Sequence, residues 1–218
     1  MTLKPKEDSS VTAPKGLLQR PFSPASERNR EPILEVLRIY FRQKHRVLEI
    51  GSGTGQHAVY FGQGLPHLLC QASDRADNLP GIRLWLDEAN LENTPAPITL
   101  DVKALWPTQT FDGLFTANTL HIMAWPEIEA FFEGMDHVLT EDAVGIIYGP
   151  FNRKGKFTSP SNAQFDAWLK SQAPHQGIRD LEAILSLAEK HRFELLETVD
   201  MPSNNQSLIF QRRRANLR

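Results

Sequence analysis

Three alternating glycines between a short apolar strand and a helical segment constrain the fold of this chain more than any other feature. The strand is Arg46–Ile50, the glycines are Gly51, Gly53 and Gly55, and the helical pattern begins at Gln56. Because glycine has no Cβ, the backbone can turn sharply here and lie against a ligand. The following helix directs free N–H groups and the positive end of its dipole at the loop. The sequence therefore predicts a site for an anionic group at this turn.

Two common nucleotide-binding loops do not fit the segment. A dinucleotide fingerprint, G-x-G-x-x-G, needs a glycine where this chain has Gln56. A P-loop ends in G-K-[ST], whereas Gly55 is followed by Gln56 and His57. The pattern present, acidic-apolar-G-x-G-x-G, resembles the first motif of class I S-adenosylmethionine (SAM)-dependent methyltransferases. The resemblance implies a loop that contacts the methionine part of SAM, formed by Glu49, Gly51, Ser52, Gly53 and Gly55.

Strand-like and helix-like segments alternate along most of the chain. Apolar runs predict strands at 46–50, 68–73, 98–100, 111–117, 143–148, 193–199 and 207–211. Helical spacing predicts helices at 56–61, 81–91, 126–139, 161–170 and 178–191. This alternation indicates an α/β fold with a mostly parallel sheet covered by helices on both faces. We expect the seven-stranded, three-layer class I methyltransferase fold, with the last two strands forming an antiparallel hairpin.

The segment before the first strand predicts a helix with two possible starts. Apolar residues recur at three- and four-residue steps over Ile33–Tyr40, which is one face of a helix. Pro32 fits the first turn, where no backbone donor is needed. The alternative is a longer helix that starts near Ser26 and is kinked at Pro32. We expect residues 1–20 to form a flexible arm, residues 21–212 one methyltransferase-like domain, and residues 213–218 a basic tail.

Composition excludes several classes of protein. Lys plus Arg is 24 and Asp plus Glu is 26, and this near-balance argues against a dedicated nucleic-acid binder. Cys70 is the one cysteine, so no intrachain disulfide is possible. No apolar run reaches the ~20 residues of a membrane helix, and residues 1–16 lack the apolar core of a signal peptide. We expect a cytoplasmic protein without nucleic-acid or membrane partners, and the sequence leaves its oligomeric state open.

The ends of the second and third strands match the same fold. In SAM-dependent methyltransferases a carboxylate after the second strand holds the ribose hydroxyls. Asp74, 23 positions after Gly51 (74 − 51), fits this role, and Asp77 is the runner-up. A polar residue after the third strand reaches the adenine amino group while its neighbour packs on the ring, which Asp101 and Val102 match. The plain alternatives are a turn residue at Asp74 and a helix N-cap at Asp101.

The loop after the fourth strand is where the resemblance implies contact with the reacting part of SAM. Asn118 begins this loop, and the N-P-P-Y motif of some amine methyltransferases is absent from it. His121 is the best candidate for a general base, because an unperturbed pKa near ~6.5 suits proton transfer at neutral pH. A histidine that only packs or caps is the alternative. Four further side chains follow strand ends and are candidates for the acceptor pocket: Trp125, Tyr148, Asn152 and Asn205.

Four segments together resemble one family: SPASERNREPIL at 23–34, LEIGSGTGQHA at 48–58, ANTLHIMAW at 117–125 and MPSNNQSLIFQRR at 201–213. The combination resembles the methyltransferase-like 26 family with its bacterial relatives, over about residues 20–212. The resemblance implies a class I methyltransferase fold without naming a substrate. The polar cluster ahead of the first helix suggests that Arg28 and Asn29 close over the cofactor as a lid.

Three functions fit these patterns to different degrees. The first is a SAM-dependent methyltransferase acting on a small molecule. The alternative is a non-catalytic SAM-binding scaffold or regulatory subunit, since intact glycines and Asp74 indicate binding but not turnover. A nicotinamide-dependent oxidoreductase is disfavoured by Gln56. The seven histidines show no metal-ligand spacing, so we expect no metal site.

Overall fold

The computed structural model describes residues 19–214. Its helices are α1 (Pro24–Tyr40), α2 (Gln56–Gly64), α3 (Leu79–Ala89), α4 (Trp125–Val138), α5 (Pro160–Gln172) and α6 (Leu181–Lys190). Its strands are β1 (Arg46–Ile50), β2 (Leu69–Asp74), β3 (Ile98–Thr99), β4 (Phe111–Ala117), β5 (Leu139–Gly149), β6 (Phe151–Asn152), β7 (Arg179–Asp180), β8 (Phe193–Met201) and β9 (Asn205–Arg212). Two short 3₁₀ turns occupy Ala76–Asn78 and Pro202–Asn204.

Seven of the strands form one sheet in the order β3-β2-β1-β4-β5-β9-β8. Neighbours from β3 to β5 are parallel, and β9 runs antiparallel to both β5 and β8. The strand order reverses between β1 and β4, and ligands of open α/β sheets bind at the carboxyl ends of the strands near such a point. The class I methyltransferase fold predicted from the sequence, with its C-terminal antiparallel hairpin, is confirmed.

Hydrophobic cores cover both faces of the sheet. Consecutive strand residues serve opposite faces, so Leu114 packs into the core with α4 and α6, while Phe115 packs into the core with α1 and α2. A smaller cluster joins α2 to α3 over β2. The apolar runs of β1, β4 and β5 are therefore explained by burial on both sides.

Helix α1 takes the longer of the two predicted forms. It begins at Pro24, with Ser23 as the N-cap, and Pro32 lies inside the helix rather than in its first turn. The Ser23 side chain accepts a hydrogen bond from the Ser26 N–H at 3.2 Å. The first-turn interpretation of Pro32 was wrong, because Pro24 already occupies the position where a missing N–H costs nothing.

A two-stranded parallel sheet, β6 with β7, was not predicted. Each strand has two residues, too few for a periodic signal. The helix predicted from residue 178 begins instead at Leu181, because Asp180 pairs with β6 and caps the helix by accepting from the Glu182 N–H. The flexible arm predicted for 1–20 lies outside the described residues except for its last two positions. In the predicted tail, Arg213 and Arg214 form ion pairs, and residues 215–218 lie outside the described part.

Within residues 19–214, none of the helices combines the length and apolarity needed to cross a membrane.

Candidate functional site

A cleft of about 1490 Å³ opens at the carboxyl ends of the central strands. Single-ligand pockets measure about 300–1,000 Å³, so the cleft has room for a cofactor and a second molecule. Most of the predicted site residues line it: Arg28, Asn29, Gly51, Ser52, Gly53, Asp74, Asp101, Val102, Asn118, His121, Tyr148 and Asn205. The fold thus joins residues from both ends of the chain in one space.

The glycine loop turns tightly because all three of its glycines have left-handed backbone. Gly51 has φ +69°, and a Cβ there would lie 2.5 Å from Thr119 Cγ2, so the loops after β1 and β4 pack together only with glycine at 51. Gly53 has φ +58°, and a Cβ there would meet no protein atom within 4 Å. The face of the loop at Gly53 is therefore open to the cleft.

Asp74 joins the end of β2 to the glycine loop. Its Oδ2 accepts a hydrogen bond from the Gly53 N–H at 2.7 Å. Its Oδ1 accepts from the Arg75 N–H at 2.7 Å and from Asn78 Nδ2 at 2.8 Å. The side chain is buried yet lines the cleft, so it both shapes the loop and presents a carboxylate to a ligand. Asp77, the runner-up, also lines the cleft.

Asp101 and Val102 lie where β3 ends. The Asp101 carboxylate accepts from the Lys103 N–H at 3.0 Å, a turn contact that leaves the half-buried residue facing the cleft. Val102 is buried and lines the same wall, and its carbonyl accepts from Trp106 Nε1 at 3.0 Å. A polar group beside an apolar surface is the arrangement predicted for an adenine site.

Beneath the glycine loop lies a buried network of polar side chains that the sequence did not reveal. Glu49 accepts a hydrogen bond from Ser52 Oγ at 2.8 Å, and burial raises the pKa of its carboxyl to about 7. The His57 ring lies 4.0 Å from Glu49, and its Nε2 is 2.8 Å from Asn29 Oδ1. Burial lowers the pKa of His57 to about 4, so this imidazole is neutral at neutral pH.

The same buried network of polar side chains extends from α1 to the end of β5. The Tyr148 hydroxyl is hydrogen-bonded to the side chains of Asn29 and Asn205, and burial raises its pKa. The amide of Asn29 therefore contacts both His57, behind the glycine loop, and Tyr148. Asn205 extends the contact to the turn between β8 and β9.

The segment that precedes α1 lines the end of the cleft next to the glycine loop. The Pro21 carbonyl accepts from Trp85 Nε1 at 2.7 Å, and the Ser23 N–H donates to Gln56 Oε1. Arg20 stacks on Trp85, 3.6 Å from the ring centroid. In the sequence Gln56 served only to exclude a dinucleotide fingerprint; in the structure its side chain fixes the segment predicted to be a lid.

His121 is buried in the wall of the cleft that the loop after β4 forms, 6% exposed. Its ring meets the edge of Phe165 at a centroid distance of 5.2 Å, a partner that no sequence pattern indicated. A Cβ placed on Gly149 would be 3.9 Å from His121 Nδ1 and 4.0 Å from Asn118 Oδ1, so both side chains converge over the end of β5. Burial, aided by the nearby Arg179 guanidinium, lowers the pKa of His121 to about 4.

Four predicted site residues do not line the cleft: Glu49, Gly55, Trp125 and Asn152. Glu49 lies below the loop, and Gly55 packs against α3, where an added Cβ would be 3.1 Å from Ile82 Cα. Trp125 donates to Glu129 Oε1 at 3.1 Å, and Asn152 Nδ2 donates to the Ile178 carbonyl at 3.4 Å. Residues 19–214 contain no group of three or more His, Cys, Asp or Glu side chains suited to a metal ion.

A family model described as "Protein of unknown function (DUF938)" matches residues 20–212. The chain belongs to the DUF938 family. The match covers the whole sheet, all six helices and every predicted site residue. The cleft described above therefore lies within the DUF938 domain.

Solved structures share the DUF938 fold at low identity. The S-adenosylmethionine-dependent methyltransferase SibL, in its apo form, has a TM-score of 0.75 at 20% identity, over 87% of this chain and 56% of its own. An O-methyltransferase family 2 protein from Planctomyces limnophilus, in complex with apigenin, has a TM-score of 0.75 at 14% identity, over 86% and 57%. PigF with SAH has a TM-score of 0.71 at 14% identity, over 83% and 61%. The chain spans little more than half the length of these structures, and the likeness shows the fold.

Proposed function

We propose that this DUF938 protein is a SAM-dependent methyltransferase acting on a small molecule. One observation supports the proposal above the others. A single cleft is lined by the open glycine loop, the Asp74 and Asp101 carboxylates and the buried His121. A cofactor-binding half and a half with a potential base are thus continuous, as group transfer requires.

The residues of the cofactor half fit SAM. The open face at Gly53 leaves backbone room for the methionine part. Asp74 offers a buried carboxylate to the ribose hydroxyls, and Asp101 with Val102 offers a polar and an apolar contact for adenine. The related folds of SibL and of PigF with SAH support the same cofactor.

SAM, when bound, supplies an electrophilic methyl group on a positively charged sulfur. The chain's own task is to orient the acceptor and to accept its proton. His121 is neutral at neutral pH, so one ring nitrogen is free to take that proton. Tyr148, Asn205 and Phe165 surround the same end of the cleft and would orient the acceptor.

Calorimetry with SAM and, separately, NAD tests the cofactor. We expect heat of binding with SAM and none with NAD. Asp74→Ala should weaken SAM binding by about 1.5–3 kcal/mol, because a charge-assisted hydrogen bond to ribose is lost. Asp77→Ala is the matched control, a nearby carboxylate that should change the affinity by less. A folded wild-type sample that gives no heat with SAM contradicts the proposal.

A screen of metabolite extracts for methyl transfer from labelled SAM separates an enzyme from a scaffold. An enzyme labels at least one metabolite, and His121→Ala abolishes most of that label. SAM binding without label in any extract supports the scaffold instead.

Three finer assignments belong to the proposal as well. They are membership of the methyltransferase-like 26 family, a cytoplasmic location, and a small-molecule substrate rather than a nucleic-acid or membrane partner. The formal net charge of −2 supports the last of these.

A further inference from the structure

We infer that Arg179 is a positioning residue, which clamps the loop after β4 and so fixes His121 in the acceptor half of the cleft. The inference rests on the proposed function, in which His121 accepts a proton. Arg179 lies on β7, one of the two strands that the sequence did not predict. It does not line the cleft itself and would act through the loop.

The clamp consists of three hydrogen bonds from one guanidinium. Arg179 Nε donates to the Leu120 carbonyl at 3.0 Å. One terminal nitrogen donates to the Met123 carbonyl at 2.5 Å and to the His175 carbonyl at 2.8 Å. Two of these carbonyls flank His121 in the chain. The planar fork of arginine suits such a set of acceptors, and the single ammonium of lysine does not reproduce it.

A backbone contact reinforces the clamp from the same side. The Gly177 N–H donates to the carbonyl of His121 itself at 2.9 Å. The segment ahead of β7 is fixed in turn, because the Ile178 N–H donates to Asp166 Oδ1 at 2.8 Å. The pairing of Arg179 with Phe151 joins β7 to β6, directly after β5. The loop bearing His121 is therefore held against a strand pair anchored to the main sheet.

The charge of Arg179 is directed at backbone rather than at a carboxylate. No ion pair to Arg179 forms among residues 19–214, and half-burial lowers its pKa from the ordinary arginine value. The carboxylate of Asp166 on α5 acts on Arg179 electrostatically, but it already pairs with Lys170 at 2.6 Å and accepts a hydrogen bond from the Ile178 N–H. Arg179 is thus the charged group that acts on His121 from β7, and its field adds to burial in disfavouring an imidazolium.

The test needs no acceptor. Two-dimensional NMR gives the His121 pKa and the hydrogen-exchange rates of the Gly177 and Met123 amides in wild type, Arg179→Gln and Arg179→Lys. Arg46→Gln is the control, since it removes a positive charge at the other end of β1, away from the cleft. The exchange rate of the Phe115 amide, in the core, monitors global stability in every variant.

Both Arg179 variants should raise the exchange rates of Gly177 and Met123 by about tenfold or more, while Phe115 stays protected. In Arg179→Gln the His121 pKa should also rise by about one unit. Arg179→Lys keeps the charge, so it should loosen the loop with a smaller pKa change. This divergence between the two variants is not expected of a residue that only supports the fold.

Two outcomes distinguish failure of the Arg179 clamp from failure of the methyltransferase proposal. If Arg179→Gln leaves both amides and the His121 titration as in wild type, the clamp is overturned, whatever the cofactor does. If the wild type gives no heat with SAM while Arg179→Gln loosens the loop, the methyltransferase proposal fails and the clamp geometry stands. Arg179→Gln should keep SAM affinity within about twofold of wild type, because Arg179 lies outside the cofactor half.

Discussion

The two halves of the cleft are built in different ways. In the cofactor half, the loops that directly follow β1 and β2 meet side by side, as in the bond from the Gly53 N–H to Asp74, 21 positions apart. In the acceptor half, the loop with His121 is held by Arg179, whose bonds to Leu120 and Met123 span 59 and 56 positions. The loops of the first half follow from local motif and strand order, and only the segment before α1 reaches them over a long separation, 64 positions in the bond from Trp85 to Pro21. The second needs the C-terminal third of the chain to return to the site.

The halves also differ in charge. The cofactor half presents the carboxylates of Asp74, Asp77 and Asp101 to the cleft, and Arg28 and Arg75 line it beside them. The acceptor half has Arg179 behind the buried His121. In the proposed function, the Asp74 and Asp101 carboxylates would hold ribose and adenine, while burial, aided by Arg179, disfavours the imidazolium form of His121. The proposed function therefore assigns cofactor recognition to fixed acceptors in one half of the cleft and proton transfer to a neutral imidazole in the other.

The largest expected effect tests whether the halves act independently. His121→Ala should lower turnover by about 10²–10⁴-fold while SAM affinity stays within about twofold. With the His121 pKa near about 4, kcat/KM of the wild type should stay level from pH 8 to 5 and fall as the pH drops through about 4. The measurement is a pH–rate profile with an acceptor found by the screen, and circular dichroism confirms folding at each pH. His175→Ala, an exposed histidine, is the control; an acid limb near pH 6.5 contradicts the assignment.

A smaller effect separates two glycines of the cofactor half. Gly51→Ala should reduce the free energy of unfolding by about 3 kcal/mol, because strained backbone and a clash with Thr119 add together. Gly53→Ala has similar backbone strain without the clash and should cost about 1 kcal/mol. Urea unfolding of both variants measures the difference. Equal losses would mean that the contact between the loops after β1 and β4 is unimportant for stability.

The smallest change expected between variant and wild type is in the pH dependence of stability, and it concerns the buried polar network under the glycine loop. Burial raises the pKa of Glu49 in the folded protein to about 7 from its ordinary value of 4.5, so between these pH values the folded state retains a proton that the unfolded state loses. Stability therefore falls as the pH rises through this range. His57 acts in the opposite direction, because its lowered pKa reduces the stability of the protein as the pH falls from 6.5 to about 4. Wild type and a Glu49 variant both contain His57, so its contribution cancels when the two are compared. As the pH rises from 5 to 8, the free energy of unfolding of Glu49→Gln should therefore increase by roughly 2 kcal/mol relative to that of wild type. Urea unfolding at pH 5 and pH 8 measures this difference in stability, with Glu35→Gln, at an exposed residue, as the control. A difference between variant and wild type that does not change with pH would contradict the prediction.

Much of the fold could be predicted from the sequence, because strands and helices leave local periodic patterns. β4 was predicted with its observed bounds, and the antiparallel hairpin of β8 and β9 followed from the spacing of the last two strands. The two-residue strands β6 and β7 left no such pattern. The start of α1 was ambiguous because Pro32 fitted either the first turn or the interior of a longer helix from near Ser26; in the structure the helix begins at Pro24, after the Ser23 cap.

The sequence by itself determined the glycine loop, the mostly parallel sheet that alternation implies, and the carboxylates at strand ends, since each depends on residues near in the chain or on a repeated strand–helix unit. Only the tertiary structure decided what surrounds His121, that Gln56 fixes the segment before α1, and that Asn29 links His57 to Tyr148. Those contacts join side chains far apart in sequence, and burial then shifts the pKa of Glu49, His57 and His121. Desolvation depends on everything packed around a group, so no local pattern encodes it.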